Sequence, residues 1–258
     1  MYFSKRGKYK AMKILSIGNS FSQDAQRYLY GIARSDGTFI KNVNIYIGGC
    51  TLSRHYRNLL DDSKKPYSFE INGITNTGIF TSIKEALLSD EWDYVTVQQQ
   101  SLASCDFETF IPYIDTLCEH IRLYCPKAKI ILLRTWGYKE GSAKLENAGY
   151  ATHADMFADI QKAYTQAEER TGAEFTVPLG DAVALAVKKR AENIYRDDFH
   201  MSLGFGRYLL ALVLYGKITG RPIENITFSD LDKPISEEEL LLAKEIAAEV
   251  LGKALRLV

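Results

Sequence analysis

The sequence lacks the features that most often mark membrane, nucleic-acid-binding and metal-binding proteins. No apolar run approaches the roughly 18–20 residues that a membrane helix needs. The 258-residue chain has 32 Lys and Arg against 32 Asp and Glu, so no net charge favours nucleic acid or an anionic membrane. With 46% hydrophobic residues the composition is ordinary for a globular protein, and we expect neither nucleic acid nor a membrane as partner.

Cysteine and histidine are scarce and scattered, with four of each. The cysteines form no Cys-x-x-Cys pair, and no histidine stands at zinc-ligand spacing from them. We therefore predict buried free thiols, surface or hydrogen-bonded histidines, no metal and no other cofactor. The cysteines are Cys50, Cys105, Cys118 and Cys125, and the three histidines on predicted helices are His55, His120 and His153. Of these, His55 is close enough in sequence to a glycine turn to reach the rim of a pocket there.

Nucleotide-binding and export motifs are missing as well. Neither Gly-x-Gly-x-x-Gly nor Gly-x-x-x-x-Gly-Lys-Ser/Thr follows the first apolar strand, and Gly204-x-Gly206 follows a histidine rather than a strand. Met1–Met12 is basic and aromatic but leads into no signal-peptide apolar region. The chain as written favours the cytoplasm, with export open if a signal has been removed, and residues 1–11 are predicted to be a flexible extension.

Short β-branched runs alternate with longer amphipathic runs, which is typical of βαβ units around a parallel sheet. Continuously apolar runs predict strands that are covered on both faces. The five predicted strands are about Lys13–Ile17, Val43–Ile47, Tyr94–Val97, Ile130–Leu133 and Glu174–Val177. The main predicted helices are about Gln23–Arg34, Leu52–Leu60, Ser82–Leu88, Phe107–Tyr124, Gly149–Thr171 and Ala182–Lys189. No linker or repeat divides the chain, so we predict one α/β domain over residues 1–258.

Two segments depart from this alternation. Tyr67–Phe80 alternates around Asn72-Gly73, which predicts a small β-hairpin with a type I′ turn at the rim of the domain. Tyr138–Tyr150 is rich in small and polar residues and is predicted to be a long flexible loop. The pattern leaves open whether either segment lines a cleft.

A serine stands where the first predicted strand ends. Gly18-Asn19-Ser20 follows Met12–Ile17 and precedes a predicted helix. Ligands of open α/β sheets bind at the carboxyl ends of the strands, and a helix N-terminus stabilises a developing anion there. Gly18 has no side chain that would obstruct a close approach of the backbone at this turn. The alternative interpretation is that Ser20 is only the N-cap of the helix.

An Asp-x-x-His motif lies near the other end of the chain. Asp197 and His200 are spaced so that a carboxylate can accept from Nδ1 and direct Nε2 at a serine hydroxyl. The neighbouring Asp198 is the other possible partner, but the spacing favours Asp197. Together with Ser20 these residues can supply a nucleophile, a base and a carboxylate that orients the base.

The end of the second predicted strand carries candidate anion-binding groups. Gly48-Gly49 follows the second predicted strand, and paired glycines let backbone amides converge on a small anion. An ordinary strand-to-helix turn also uses glycine. Cys50, next to this turn, is a conceivable rival nucleophile beside His200, although no feature of the sequence favours it.

The order and spacing of these motifs resemble the SGNH (GDSL-like) hydrolases. Gly18-Asn19-Ser20-Phe21 resembles their first block with Asn in place of Asp, and Asp197-x-x-His200 resembles their last. The resemblance implies a flavodoxin-like, three-layer α/β/α sandwich with a mainly parallel five-stranded sheet. It also implies that Ser20 is the nucleophile, and that its N–H joins an oxyanion hole with Gly49, or Gly48 as the second choice.

The third block departs from the family pattern. SGNH hydrolases normally end it with Gly-x-Asn-Asp, whose Asn donates to the oxyanion, whereas this chain has Gln98-Gln99-Gln100. A glutamine amide can make the same donation from a longer side chain. We favour Gln100 as the donor, with Gln98 as the second choice.

The resemblance implies a serine ester hydrolase that acts through an acyl-enzyme. The chain most resembles bacterial members of Bacteroidetes type, for which the implied substrates are acylated, especially acetylated, carbohydrates or other small esters. The implied partner is thus a small-molecule ester, and the oligomeric state is left open. The alternative is a catalytically silent carbohydrate-binding protein that keeps the SGNH fold.

Overall fold

One central sheet of seven strands runs through the part of the chain that the computed structural model describes, residues 11–61 and 63–252. The predicted extension over residues 1–11 lies outside the described residues, apart from Ala11. The strand order across the sheet is β4-β3-β2-β1-β5-β6-β7. The strands are β1 (Met12–Gly18), β2 (Ile40–Tyr46), β3 (Tyr67–Ile71), β4 (Phe80–Thr81), β5 (Tyr94–Val97), β6 (Lys129–Leu133) and β7 (Phe175–Val177).

The predicted mainly parallel sheet is confirmed, but it has seven strands rather than five. β1, β2, β5, β6 and β7 are the five predicted strands, and they pair in parallel. The predicted antiparallel hairpin is present at one edge of the sheet, where β3 pairs with β2 and β4 with β3, and it supplies the two additional strands. Without β3, the N–H and C=O groups of β2 would form an unpaired edge. Asn72 and Gly73 both have positive φ angles, 52° and 81°, as a type I′ turn requires.

Ten α-helices and two short 3₁₀-helices, Leu102–Cys105 and Phe107–Thr109, in the described residues complete the fold. In chain order, the ten α-helices are α1 (Ser20–Gln26), α2 (Leu29–Ser35), α3 (Leu52–Leu59), α4 (Ile83–Leu88), α5 (Tyr113–Tyr124), α6 (Ala143–Asn147), α7 (His153–Thr171), α8 (Leu179–Lys188), α9 (Phe205–Thr219) and α10 (Glu237–Val250). The predicted helix Gln23–Arg34 is two helices, α1 and α2. The predicted loop Tyr138–Tyr150 contains α6.

The core consists of two apolar clusters, one on each face of the sheet. Ile14 belongs to the cluster under α1, α2, α8, α9 and α10, whereas Leu15 and Ile17 belong to the cluster under α3, α4, α5 and α7. Successive side chains of a strand point to opposite faces, so β1 contributes to both. This confirms the predicted three-layer α/β/α sandwich.

Helix α9 is buried on nearly every side. Its 15 residues fall short of the roughly 20 that a bilayer requires. None of the helices within residues 11–61 and 63–252 has both the length and the apolarity to cross a membrane.

The topology brings three loops together. Because β2, β1 and β5 are neighbours and parallel, the loops at their carboxyl ends meet at one edge of the sheet. These loops carry Asn19, the turn Gly48-Gly49 and the run Gln98–Gln100. The segment between α8 and α9 carries Asp197 and His200 to the same edge, as the distances below show.

Candidate active site

Ser20 is the first residue of α1, and its hydroxyl is not used as a helix cap. The N-cap is Asn19, whose Oδ1 accepts the N–H of Phe21 at 2.9 Å. Asn19 is 2% exposed, and its Nδ2 donates to the carbonyl of Cys50 at 3.0 Å. The interpretation of Ser20 as an N-cap is therefore wrong, and the neighbouring asparagine leaves the serine hydroxyl available for other partners.

Gly18 is required by close packing at the turn before Ser20. A Cβ at this position would clash with the side chain of Ser22. That side chain is itself fixed, because its hydroxyl lies 2.9 Å from the Asn19 carbonyl and 2.7 Å from Oδ1 of Asn44. Packing of Gly18 against Ser22 and the two contacts of the Ser22 hydroxyl thus fix the backbone next to Ser20.

The Ser20 hydroxyl meets the imidazole of His200. Ser20 Oγ lies 2.9 Å from Nε2, and Nδ1 lies 2.8 Å from Oδ2 of Asp197. The other oxygen of Asp197 accepts the backbone N–H groups of Phe199 at 2.9 Å and His200 at 2.7 Å. The carboxylate that meets Nδ1 is that of Asp197 and not that of Asp198. Such a chain can move a proton from the hydroxyl to the ring and stabilise the resulting imidazolium.

The environment keeps Asp197 ionised. Partial burial raises the pKa of its carboxyl, but hydrogen bonds from the backbone N–H groups of His200 and Phe199 and from the His200 ring outweigh this effect. The net pKa lies below the ordinary value for aspartate. At neutral pH the carboxylate is therefore an acceptor only, which places the proton of the neutral imidazole on Nδ1 and leaves Nε2 free to accept.

Aromatic rings fix the orientation of the His200 ring. The centroid of the Phe199 ring lies 3.9 Å from that of His200. Trp136 donates from Nε1 to the Phe199 carbonyl at 2.8 Å, and its ring stacks on Phe21 at a centroid distance of 4.0 Å. Since Phe21 directly follows Ser20, this stack connects the Ser20 side of the site to the His200 side.

A buried carboxylate makes a second connection between the two sides. Asp24, on α1, is fully buried. Its oxygens accept from Nη1 of Arg196 at 2.8 and 3.0 Å, from Nε of Arg207 at 2.8 Å and from the backbone N–H of Met201 at 3.0 Å. Arg196 directly precedes the Asp-x-x-His motif and Met201 directly follows it. Asp24 therefore binds both ends of the loop that carries the imidazole.

The turn after β2 offers two unpaired backbone donors. Cys50 N–H donates to the Ile47 carbonyl at 3.2 Å and closes the turn around Gly48 and Gly49. Gly49 has a φ of +59°, a region that glycine adopts without strain. Neither glycine N–H has an acceptor within the described residues, and both glycines line the same cavity as Ser20.

The three glutamines after β5 have different surroundings. Gln98 is 3% exposed, and its Nε2 donates to Asn19 Oδ1 at 2.7 Å. Gln99 is 1% exposed and its amide bonds within the interior. Only Gln100 of the three lines the cavity of Ser20, where its Nε2 donates to Ser101 Oγ at 2.8 Å. The second N–H of that amide is the one available to a ligand.

The cavity at Ser20 is small, with a volume of about 250 Å³, and its lining combines polar groups with aromatic rings. The hairpin residues 67–80 are absent from its lining in the described chain, whereas Lys144 of the 138–150 segment takes part. The lining residues are Asn19, Ser20, Phe21, Tyr46, Gly48, Gly49, Gln100, Ser101, Lys144, Phe199 and His200.

Cys50 and His55 form a separate, buried pair. Cys50 is fully buried, and burial raises the pKa of its thiol to about 12. Its Sγ lies 3.5 Å from Nδ1 of His55, which is also fully buried and hydrogen-bonded to the Tyr67 hydroxyl at 2.8 Å. Burial lowers the pKa of His55 to about 3, so the ring is neutral. Cys50 thus lies beside His55 rather than His200, and a protonated thiol is a poor nucleophile.

The other two histidines lie apart from the cavity. His153 is 2% exposed, and its Nδ1 lies 2.9 Å from the Tyr138 carbonyl. His120 is bonded to the Thr116 carbonyl one helical turn earlier. Within the described ranges, His, Cys, Asp and Glu side chains do not gather into a group of three that could hold a metal ion.

The fold is that of the SGNH hydrolases, with a serine after the first strand and an Asp-x-x-His segment before α9. A candidate SGNH hydrolase from Slackia heliotrinireducens is 25% identical and has a TM-score of 0.58, over 81% of this chain and 100% of that one. A candidate GDSL-like lipase from Parabacteroides merdae is 16% identical with a TM-score of 0.55, over 84% of this chain and 99% of that one, and it shares the fold.

Residues 13–250 match the family described as "Domain of unknown function (DUF4886)", and the chain belongs to that family. The crystal structure of a DUF4886 family protein from Bacteroides uniformis is 26% identical and has a TM-score of 0.83. The likeness covers 96% of this chain and 98% of that one. The comparison with curated proteins gave no match.

Proposed function

We propose that this protein is a serine ester hydrolase that removes short acyl groups, above all acetyl, from small esters such as acylated carbohydrates. The hydroxyl of Ser20 attacks the ester carbonyl while Nε2 of His200 takes its proton. The tetrahedral oxyanion is held by N–H donors of Ser20, Gly49 and Gln100. Collapse of this intermediate breaks the bond to the alcohol oxygen, which receives the proton from His200. Water then attacks the acyl-enzyme by the same route and releases the acid.

The observation that carries the proposal is the contact between Ser20 and His200. These residues are 180 positions apart in sequence, yet Oγ and Nε2 lie 2.9 Å apart, with Asp197 on the far nitrogen. A hydroxyl is a weak nucleophile unless an adjacent base activates it, and a base is effective only when a third group orients it. The cavity borders Ser20 and His200 together, so a carbonyl carbon can reach the hydroxyl.

The small size of the cavity and the hydroxyl and amide groups in its lining favour a short acyl group and a polar alcohol. A volume of about 250 Å³ lies below the range of about 300–1,000 Å³ typical of drug-sized ligands. Tyr46, Gln100 and Ser101 offer hydroxyl and amide groups that suit the hydroxyls of a sugar. A lipase-like substrate would instead need a long apolar channel.

Turnover of nitrophenyl esters and labelling of the serine test the proposal. We expect p-nitrophenyl acetate to be hydrolysed faster than the butyrate and much faster than the octanoate. We expect a fluorophosphonate to label the wild-type protein on Ser20, as located by peptide mass spectrometry. Absence of both turnover and labelling would contradict the proposal. If the protein shows neither turnover nor labelling but binds sugars in calorimetry, the catalytically silent alternative is favoured.

Replacement of the glutamines distinguishes their roles. Gln100→Ala is expected to lower kcat for p-nitrophenyl acetate by a factor of about 10²–10³, because removal of one oxyanion donor typically has an effect of this size. Gln98→Ala removes the buried bond to Asn19 and is expected to cost about 1–3 kcal/mol of stability. Steady-state kinetics and urea unfolding of both variants provide the measurements. A kcat loss confined to Gln98→Ala would assign the donor to Gln98 instead.

A further inference from the structure

Lys144 brings a positive charge into a cavity that is otherwise made of neutral groups and the imidazole. It is the only lysine or arginine among the lining residues of the described chain, and none of those residues is an aspartate or glutamate. Nothing in the proposed ester hydrolysis uses an ammonium group. The polar groups already present supply the nucleophile, the base and the oxyanion donors.

The position of the ammonium is fixed relative to His200. Lys144 Nζ lies 4.3 Å from the centroid of the Phe199 ring and 5.5 Å from that of Tyr138. The Phe199 ring in turn lies 3.9 Å from the imidazole, centroid to centroid. The ammonium therefore occupies the histidine side of the cavity.

No carboxylate neutralises this charge within the described residues. The ion pairs of the described chain do not include Lys144. The nearest acidic residue on α6, Glu146, is two positions away, a spacing at which helical side chains do not face each other. An ammonium carries three donors, and an aromatic face accepts its charge without satisfying them as a carboxylate would.

The histidine side of such a site is the side of the leaving alcohol. The imidazole that takes the proton of the serine must return it to the oxygen of the departing alcohol, so that alcohol lies next to Nε2. A charge placed beside the imidazole thus meets the alcohol part of the ester and not the acyl part.

We propose that Lys144 forms an anion subsite for the leaving group, which makes the preferred substrates short acyl esters of alcohols that carry a carboxylate, such as acylated acidic sugars. This inference rests on the proposed ester hydrolysis and narrows its substrate class. A charge-assisted hydrogen bond from the ammonium to the carboxylate orients the alcohol as its bond to the acyl group breaks.

A pair of matched acetyl esters tests the subsite. In 4-acetoxybenzoate the leaving phenol carries a carboxylate, whereas in 4-acetoxybenzamide it carries a neutral amide of similar shape. For the wild-type protein we expect kcat/KM to favour the benzoate by about tenfold or more, the scale of one hydrogen bond to a charged group. The preference should fall as NaCl is added, since salt screens a partly exposed pair.

Three variants assign the preference to its residue. Lys144→Met keeps the length of the side chain without the charge, and it is expected to abolish the preference while turnover of the benzamide stays within about twofold of wild type. Lys144→Arg should retain the preference. Lys139→Met, in the same segment but exposed and outside the cavity lining, is the matched control and should behave as the wild type.

Failure of the subsite and failure of the proposed function give different results. Equal kcat/KM for the two esters, with turnover that still depends on Ser20, would overturn the subsite alone. A preference that survives in Lys144→Met would overturn it as well. If neither ester is turned over, the proposed function fails, and calorimetry with the product 4-hydroxybenzoate still decides the subsite. If 4-hydroxybenzoate binds more tightly than 4-hydroxybenzamide, and Lys144→Met removes this difference, the subsite is supported. Equal affinities of the wild-type protein for the two compounds overturn it.

Discussion

Ser20→Ala is expected to lower kcat for p-nitrophenyl acetate by up to about 10⁶, because the alanine has no group that can form the acyl-enzyme. What remains should come from the oxyanion donors and from binding of the ester, which act without the hydroxyl. Stability should change little, because Asn19 rather than Ser20 caps α1. Single-turnover kinetics would show the loss, and circular dichroism would show that the fold is retained.

Cys50→Ala is the control for this experiment. The thiol lies close to the cavity in sequence but is buried beside His55. We expect this variant to keep most of its activity and to be labelled by a fluorophosphonate at Ser20. Equal rates for Ser20→Ala and wild type, or loss of labelling in Cys50→Ala alone, would contradict the assignment of the nucleophile.

Asp197→Asn is expected to lower kcat by about 10⁴ while leaving the loop folded. An asparagine Oδ1 can still accept the N–H groups of Phe199 and His200, so the backbone of the loop keeps its two hydrogen bonds. Its Nδ2 would then face Nδ1 of His200 as a donor and favour the tautomer with the proton on Nε2. That tautomer cannot accept the Ser20 proton. Measurement of kcat and of the thermal midpoint separates the tautomer effect from unfolding.

Asp198→Asn provides the matched comparison, because it removes the adjacent carboxylate. Only the backbone carbonyl of Asp198 takes part in a described hydrogen bond, with Lys139 N–H at 2.7 Å. We therefore expect nearly unchanged kcat. A large loss in Asp198→Asn together with a small loss in Asp197→Asn would reassign the carboxylate that orients His200.

The fold was predictable because its signals are local. Apolar runs followed by glycine turns mark β1, β2 and β5, and parallel strands place their carboxyl ends at one edge. The Ser20 and Asp197-x-x-His200 motifs could be located for the same reason, although their catalytic roles stay predictions. The single domain predicted for the whole chain stays a prediction too.

Features that depend on pairing between distant segments were not predictable. No local pattern shows that β3 joins β2 rather than standing apart. Strand alternation ends before Gln98, so it could not decide which glutamine faces the cavity. Asp24 offered one faint signal, since an acidic residue on a helix turn with Phe21 and Ala25 conflicts with a buried face. Its partners lie 172 and 183 positions away, and no spacing rule connects them.

The buried carboxylate of Asp24 constrains the order in which parts of the protein fold. An ionised carboxylate is costly to bury unless cations pair with it. Both arginines that pair with Asp24 lie within residues 196–207. Asp24 leaves the ribosome before those arginines, so we expect α1 to dock on the sheet only after residues 196–207 have been synthesised. We therefore expect the contact between Ser20 and His200 to form only late in synthesis of the chain.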